Sequence, residues 1–362
     1  RLDKSRGLES AAFLHFDFQV TPKLTGMAGL RYSMFHQLGP YQQYVYSQEG
    51  PTSEEILDSV NFKTNETVIT YSGWEPRFSL KYEINDISSL KAGISRNFQY
   101  LHLISNNTSI TPTDIWSLSS PFIRPQIGIQ YSLGYNRKIS DIKSNILIEG
   151  FYKELDNVLE YKNGADLILQ PNIETEVLPG EGYAYGVEFS LNKYSGDLKG
   201  SLNYTFSRTF RKAESSVEAF ELNEGDWFPA NFDRPHNLFI NANYAFTRKY
   251  SLVANFTWIS GRPYTTPTAF YTVDNVNVFS FEERNNDRLP NYHRLDLSFI
   301  IKPNHKKNKV IESSWTFTIF NLYARDNTNS IFYTTNEDQL LIANSLIVLG
   351  SVFPSVTYNF KF

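Results

Sequence analysis

Ser355-Val356-Thr357-Tyr358-Asn359-Phe360-Lys361-Phe362 closes the sequence. Apolar and polar residues alternate through it without a break, and successive side chains of an extended strand point to opposite faces. Val356, Tyr358, Phe360 and Phe362 therefore share one face, and Thr357, Asn359 and Lys361 share the other. An aromatic face backed by a polar one is what a strand between hydrocarbon and a wet lumen requires.

Composition points the same way. Aromatic residues make up 15% of the 362 residues, with 23 Tyr and 28 Phe, while no stretch of ~18 apolar residues is present to form a membrane helix. Apolar content of that kind is hidden in alternation. Cysteine is absent, which excludes a disulfide framework, a thiol nucleophile and a zinc–thiolate centre. The formal net charge is -4 and the basic residues are scattered, so no nucleic-acid footprint is present.

Period-two segments recur along the whole chain, separated by connections that alternate between short and long. The short ones are 21–23, 85–87, 140–141, 195–197, 247–249 and the basic run 302–307. They read as periplasmic turns. The long ones, over 37–70, 105–123, 158–180, 213–233, 261–290 and 325–352, read as extracellular loops. Between them lie about 13 strands. Outward sets include Leu202/Tyr204/Phe206, Leu238/Ile240/Tyr244/Phe246, Leu252/Phe256/Trp258 and Trp315/Phe317/Ile319. Their neighbours Asn203, Thr205, Asn241, Asn243, Asn255, Thr257, Thr316 and Thr318 would line the interior. The expected fold is an all-β transmembrane antiparallel barrel in the outer membrane. An odd strand number does not fit a whole single-chain bacterial barrel, so the sequence is expected to be the C-terminal part of a larger one, with 1–362 all barrel.

The ordered motifs carry a family resemblance. Gly29-Leu30-Arg31-Tyr32-Ser33, Glu75-Pro76-Arg77, Thr111-Pro112-Thr113-Asp114-Ile115-Trp116 and Gly180-Glu181-Gly182-Tyr183-Ala184-Tyr185-Gly186-Val187-Glu188 come first. Phe232-Asp233-Arg234-Pro235-His236, Ser260-Gly261-Arg262-Pro263-Tyr264, Arg288-Leu289-Pro290-Asn291-Tyr292-His293-Arg294-Leu295-Asp296 and Asn321-Leu322-Tyr323 follow. In this order and spacing the chain resembles TonB-dependent receptors of the Bacteroidetes type, which carry a carboxypeptidase-regulatory-like domain before a plug. The resemblance implies a complete barrel of about 22 strands with a plugged lumen, of which this chain would be roughly strands 10 to 22. It also implies contact with TonB through a segment upstream, a plug domain of the protein's own, and uptake of a nutrient too large or scarce for porins. The alternative is a non-transporting barrel that serves as a scaffold in an envelope complex, with a surface lipoprotein or another envelope protein as partner.

No catalytic constellation is found, and no cofactor or metal site is expected. Asp233, Arg234 and His236 include an acid and a base, but they sit where a long loop enters a strand and read as a hydrogen-bonded charge cluster. His293, Arg294 and Asp296 repeat the pattern. Candidate ligand contacts are the loop residues Trp227, Phe228, Tyr264, Tyr271 and Glu282, since aromatics beside carboxylates clasp sugars, peptides or cations. Arg31, Arg77, Glu188, Arg294 and Asp296 are candidates to meet the plug or a passing solute from the lumen wall. The terminal Phe362 resembles the signal read by outer-membrane assembly machinery.

Overall fold

The computed structural model describes residues 4–47, 51, 56–104, 115–165, 172–213, 215, 221–273, 276–303, 312–335 and 341–361. Phe362 lies outside the described residues, as do Thr111–Asp114.

Thirteen strands follow one another in a continuous antiparallel path. The first eight are Arg6–Thr21, Leu24–Leu38, Thr67–Asn85, Ser88–Gln99, Gln126–Ile139, Ser144–Tyr161, Val177–Lys193 and Leu198–Ala213. The last five are His236–Ala245, Tyr250–Ile259, Tyr292–Ile301, Glu312–Phe320 and Phe353–Lys361. They are termed wall strands 1 to 13. The two-residue Phe228–Pro229 pairs with the end of wall strand 8 and completes a 14-stranded sheet. Apart from two three-residue 3-10 turns, Ile173–Thr175 and Asn223–Gly225, no helix occurs among the described residues. The strand pattern expected from the sequence is therefore the observed one.

Turn chemistry explains why the short connections close. Thr21 Oγ1 accepts hydrogen bonds from the Lys23 and Leu24 amides at 3.3 and 3.0 Å. Thr247 Oγ1 does the same for Lys249 and Tyr250, both at 3.1 Å. Asn85 Oδ1 accepts from the Ile87 amide at 3.1 Å. In each case a side chain satisfies backbone donors that the tight reversal leaves without a ladder partner.

Register then carries one side of the wall from strand to strand, because directly opposed residues share a face. Tyr204 opposes Leu238, Leu238 opposes Trp258, and Ile240 opposes Phe256. Phe256 opposes Leu295, Phe299 opposes Phe317, and Phe317 opposes Val356. The opposite face brings Asn241 to Asn255, Thr257 to Arg294, Ser298 to Thr318, and Thr318 to Ser355. Polar pairs on it bond across strands: Asn241 Nδ2 to Asn255 Oδ1 at 2.6 Å, Ser190 Oγ to Asn203 Oδ1 at 2.7 Å, and Ser298 Oγ with Thr318 Oγ1 at 2.9 Å. The outer face is apolar and the inner face is wet.

Several aromatics depart from that rule, Phe13 opposite Arg31 and Tyr292 in line with Arg294 among them. Phe151 opposes Gly186 on the polar face, and its ring lies over the glycine, where a Cβ would meet it at 2.9 Å. Phe239 opposes Asn203 and Thr257 there.

Wall height is uneven. Wall strands 1 to 8 run from 12 to 19 residues, whereas wall strands 9 to 13 have only 9 or 10. The long connections, read from the sequence as loops, contain hairpins of their own. Tyr41–Tyr46 pairs with Ile56–Phe62, Leu101–Ile104 with Ile115–Leu118, Ala269–Val273 with Val276–Ser280, and Thr328–Thr335 with Leu341–Ile347. Long segments must satisfy their own backbone donors and acceptors, and local pairing does so without the wall. The buried apolar clusters lie in this layer too. Ile104, Ile123, Ile173 and Val177 form one, against Ile115 and Leu159, and Leu178, Ala213, Leu222 and Phe228 form the other.

Candidate functional site: the loop collar at the mouth

Two buried carboxylates anchor the loops to the top of the wall. Asp233 is 2% exposed, and it takes the Thr209 amide on Oδ1 at 2.7 Å and the Arg208 guanidinium on Oδ2 at 3.2 Å. Arg288 donates a further charged bond to the same Oδ2, and its other amino group reaches the carbonyls of Asp233 and Gly261 at 2.9 and 3.1 Å. One carboxylate thus joins wall strand 8, the fourth long loop and the fifth. Charge-assisted bonds reach both oxygens of the buried carboxylate.

Glu160, at the top of wall strand 6, repeats the arrangement. Arg211 donates to Oε1 and Arg284 to Oε2, the latter at 3.2 Å. The Arg284 guanidinium lies 4.2 Å from the centre of the Tyr161 ring and also donates to Asn163 Oδ1 at 3.1 Å. Its backbone amide bonds to Asn223 Oδ1 at 2.8 Å. The fifth loop is therefore tied to the third and the fourth.

Other contacts extend the collar. Tyr46 Oη donates to Glu174 Oε1 at 3.1 Å, linking the first loop to the third, and the Tyr46 ring meets Phe122 edge-on at 5.2 Å. Burial raises the Glu174 carboxyl above its ordinary range. At the far side Tyr264 Oη donates to Asp287 Oδ2 at 3.0 Å, and Tyr333 Oη of the sixth loop approaches Tyr264 Oη at 3.4 Å.

His102 gives the collar a pH dependence. It is 4% exposed, with Nε2 3.0 Å from Ser119 Oγ, and burial lowers its pKa from 6.5 to about 4. A histidine kept neutral in the closed hairpin takes up its proton preferentially when the hairpin opens. Stability from this group is full above the open-state pKa of 6.5 and is lost as the pH falls toward 4. Protease cleavage within 101–118 is expected to accelerate between those pH values, and His102→Phe should flatten the profile.

The residues singled out in the sequence fall into distinct places. Trp227 leans edge-on against Tyr183 at 4.7 Å, beside the outward-facing Phe210. Phe228 is 1% exposed within its apolar cluster, where it holds the loop. Tyr264 is engaged by Asp287, whereas Tyr271 and Glu282 are exposed. Trp227 and Phe228 are neighbours in the chain, and among the described residues no hydrogen bond or ring contact joins either of them to Tyr264, Tyr271 or Glu282. On the inner face Arg31 bonds Glu9 at 2.9 Å and Glu75 at 3.4 Å, and Arg77 donates to Asn97 Oδ1 at 2.9 Å. Glu188 opposes Glu149 and Thr205. Arg294 donates to Asp296 Oδ2 from Nε at 3.1 Å and Nη2 at 2.9 Å, and Asp296 Oδ1 takes the Asn321 amide at 2.9 Å.

Asp233 and His236 do not work together. His236 Nδ1 is 2.8 Å from Tyr204 Oη, and its ring sits among Tyr204, Phe206 and Trp258 on the outer face. His293 pairs likewise with Tyr323 Oη at 2.8 Å. An imidazole at the level of an aromatic belt, bonded to a tyrosine, is a girdle element. Sequence reasoning missed Glu160, Arg208, Arg211, Arg284 and Arg288 as a network. The available signal was a charged residue at the end of an alternating run, where side chains no longer face lipid. Among the described residues no cluster of His, Cys, Asp or Glu suits a metal ion.

Comparison with known proteins places this geometry. No curated protein matches the chain by sequence. The ferric-catecholate import receptor Fiu from K12 E. coli, in its closed form, superposes with a TM-score of 0.61 at 15% identity, over 99% of this chain and 45% of that one. The FrpB iron transporter from Neisseria meningitidis gives 0.61 at 13% identity, over 99% and 46%. The ferripyoverdine receptor of the outer membrane of Pseudomonas aeruginosa gives 0.56 at 12% identity, over 98% and 38%. At such identities the likeness is one of fold, and the chain spans less than half the length of each. The family model for the β-barrel of TonB-dependent receptor-like proteins matches residues 3–322, so the chain belongs to the TonB-dependent receptor barrels of the outer membrane.

Proposed function

We propose that this chain is the C-terminal barrel portion of a receptor that imports a solute across the outer membrane under TonB traction. A plug domain of the same protein fills the lumen, with a carboxypeptidase-regulatory-like domain before it, as in Bacteroidetes receptors of this kind. The observation that carries the reading is the collar itself, a set of cross-linked loops standing over a polar wall. Loops tied to one another and to the strand tops present a preformed surface to the outside, while Asn, Thr and Ser offer exchangeable hydrogen bonds along the path inward. Trp227, Tyr264, Tyr271 and Glu282 supply ligand contacts from the collar, and Phe228 supports them from beneath. Arg31, Arg77, Glu188, Arg294 and Asp296 meet the plug. Glu149 and Glu188 oppose each other without an ion pair among the described residues, which suits a basic side chain arriving from the lumen. Phe362 serves as the assembly signal. The neighbours named for iron or ferric-chelate import support trying such chelates first as solutes.

The test uses the full-length protein in cells. Deleting the upstream TonB-contacting segment should abolish uptake and leave solute binding at the surface unchanged, because loops bind and the plug gates at opposite ends of the lumen. Uptake that persists without the energised partner would sink the reading in favour of a passive channel. No uptake at all, together with an envelope protein or surface lipoprotein co-purifying through the loops, would establish the scaffold instead.

A further inference from the structure

A cavity of about 420 Å³ opens at the inner side of the mouth, where Arg234, Arg262 and Arg294 converge with Thr257, Tyr292 and Asn329. Thr257 opposes Arg294 in the register, so the cavity lies on the wet face of the wall. The three arginines differ in what they already hold. Arg294 is neutralised by Asp296. Arg262 donates to two carbonyls, Pro263 O and Asn329 O, both at 3.4 Å. Arg234 and Arg262 have no carboxylate partner among the described residues. The nearest acid in sequence, Asp233, is committed to Arg208 and Arg288.

Two guanidinium groups are thus half-buried toward one space without a counter-charge. Burial lowers both from the ordinary arginine range, and the charge of Arg234 lowers Arg262 further. Like charges withdrawn from water repel each other and have lost hydration, and both costs are offset when an anion enters between them. Planar guanidinium donors match carboxylate and phosphate oxygens in paired geometry.

We propose that the Arg234–Arg262 pair is an oxyanion-binding site that receives a carboxylate or phosphate group of the incoming solute. This assignment rests on the uptake reading above. The cavity is large enough for a small polycarboxylate or for the acidic end of a larger molecule.

The full-length protein in detergent, titrated calorimetrically with citrate and with inorganic phosphate at low ionic strength, tests it. Expected is saturable binding of at least one of the two anions, weakened at least about tenfold in Arg234→Gln and in Arg262→Gln. Lys91→Gln, on the inner face opposite Lys81, serves as the control and should bind as the wild type does. Variants are first shown to migrate as folded barrels on unheated gels. Absence of saturable binding to the wild type, or equal affinity in the arginine variants, overturns the proposal. If neither anion binds and Arg234→Gln/Arg262→Gln lowers the melting temperature, the pair holds an acid of the protein's own lumen-filling domain, and the solute site is refuted. Binding is read without energisation, so anion binding by a protein that takes nothing up would sink the transport reading and leave this site standing.

Discussion

Replacing Asp233 by alanine is expected to release the bases of the fourth and fifth loops at once. The carboxylate side chain is 1% exposed and pairs with both Arg208 and Arg288 while accepting from the Thr209 amide. Removing one partner of a buried ionic network leaves the others desolvated, which costs about 3–5 kcal/mol. At tenfold per 1.4 kcal/mol, cleavage of 221–235 and 281–291 by a protease in outer-membrane fragments should rise at least roughly hundredfold. Wall strands 1 to 7 do not depend on this carboxylate, so the heat-dependent gel shift of the barrel should be retained. Unchanged cleavage would show that the loops are held by packing alone.

Gly261→Ala is expected to open the fifth loop by a different route. An added Cβ would stand 1.5 Å from the Leu289 carbonyl oxygen, a backbone atom that has no rotamer to yield. The two segments are locked at that point, since the Leu289 amide donates to Arg262 O at 3.0 Å and the Gly261 amide donates to Asn291 Oδ1 at 3.1 Å. Overpacking of this severity costs about 3 kcal/mol or more. Hydrogen exchange at the Leu289 amide should accelerate by roughly a hundredfold. Exchange equal to the wild type would mean that the segments separate without cost.

Much of the wall was legible from the sequence because period two survives wherever a strand has lipid on one side and water on the other. Leu202/Tyr204/Phe206 and Trp315/Phe317/Ile319 stand on the face assigned to them, and Asn241, Asn255, Thr257 and Thr318 stand on the other. The collar was not legible in that way. Arg208 and Arg211 lie at positions of opposite parity in one run, yet each reaches a carboxylate in the collar, because the alternation rule lapses above the belt. Arg284 and Glu160 are separated by 124 residues, and no local pattern announces such a pair. Phe228 illustrates the reverse difficulty. An aromatic next to Trp227 in a polar loop resembles a ligand contact, and only burial beside Leu178, Ala213 and Leu222 reveals its packing role.

The unequal strand lengths turn the mouth into a sloping parapet. A tilted strand of 10 residues, such as His236–Ala245, covers about 25 Å along the membrane normal, close to the apolar band alone. The 19 residues of Thr67–Asn85 reach nearly twice as high. On the proposed uptake route a solute meets a lower sill over wall strands 9 to 13, and the cavity holding Arg234 and Arg262 lies on that side. On that route the tall side flanks the approach, and the low side sets the direction of entry.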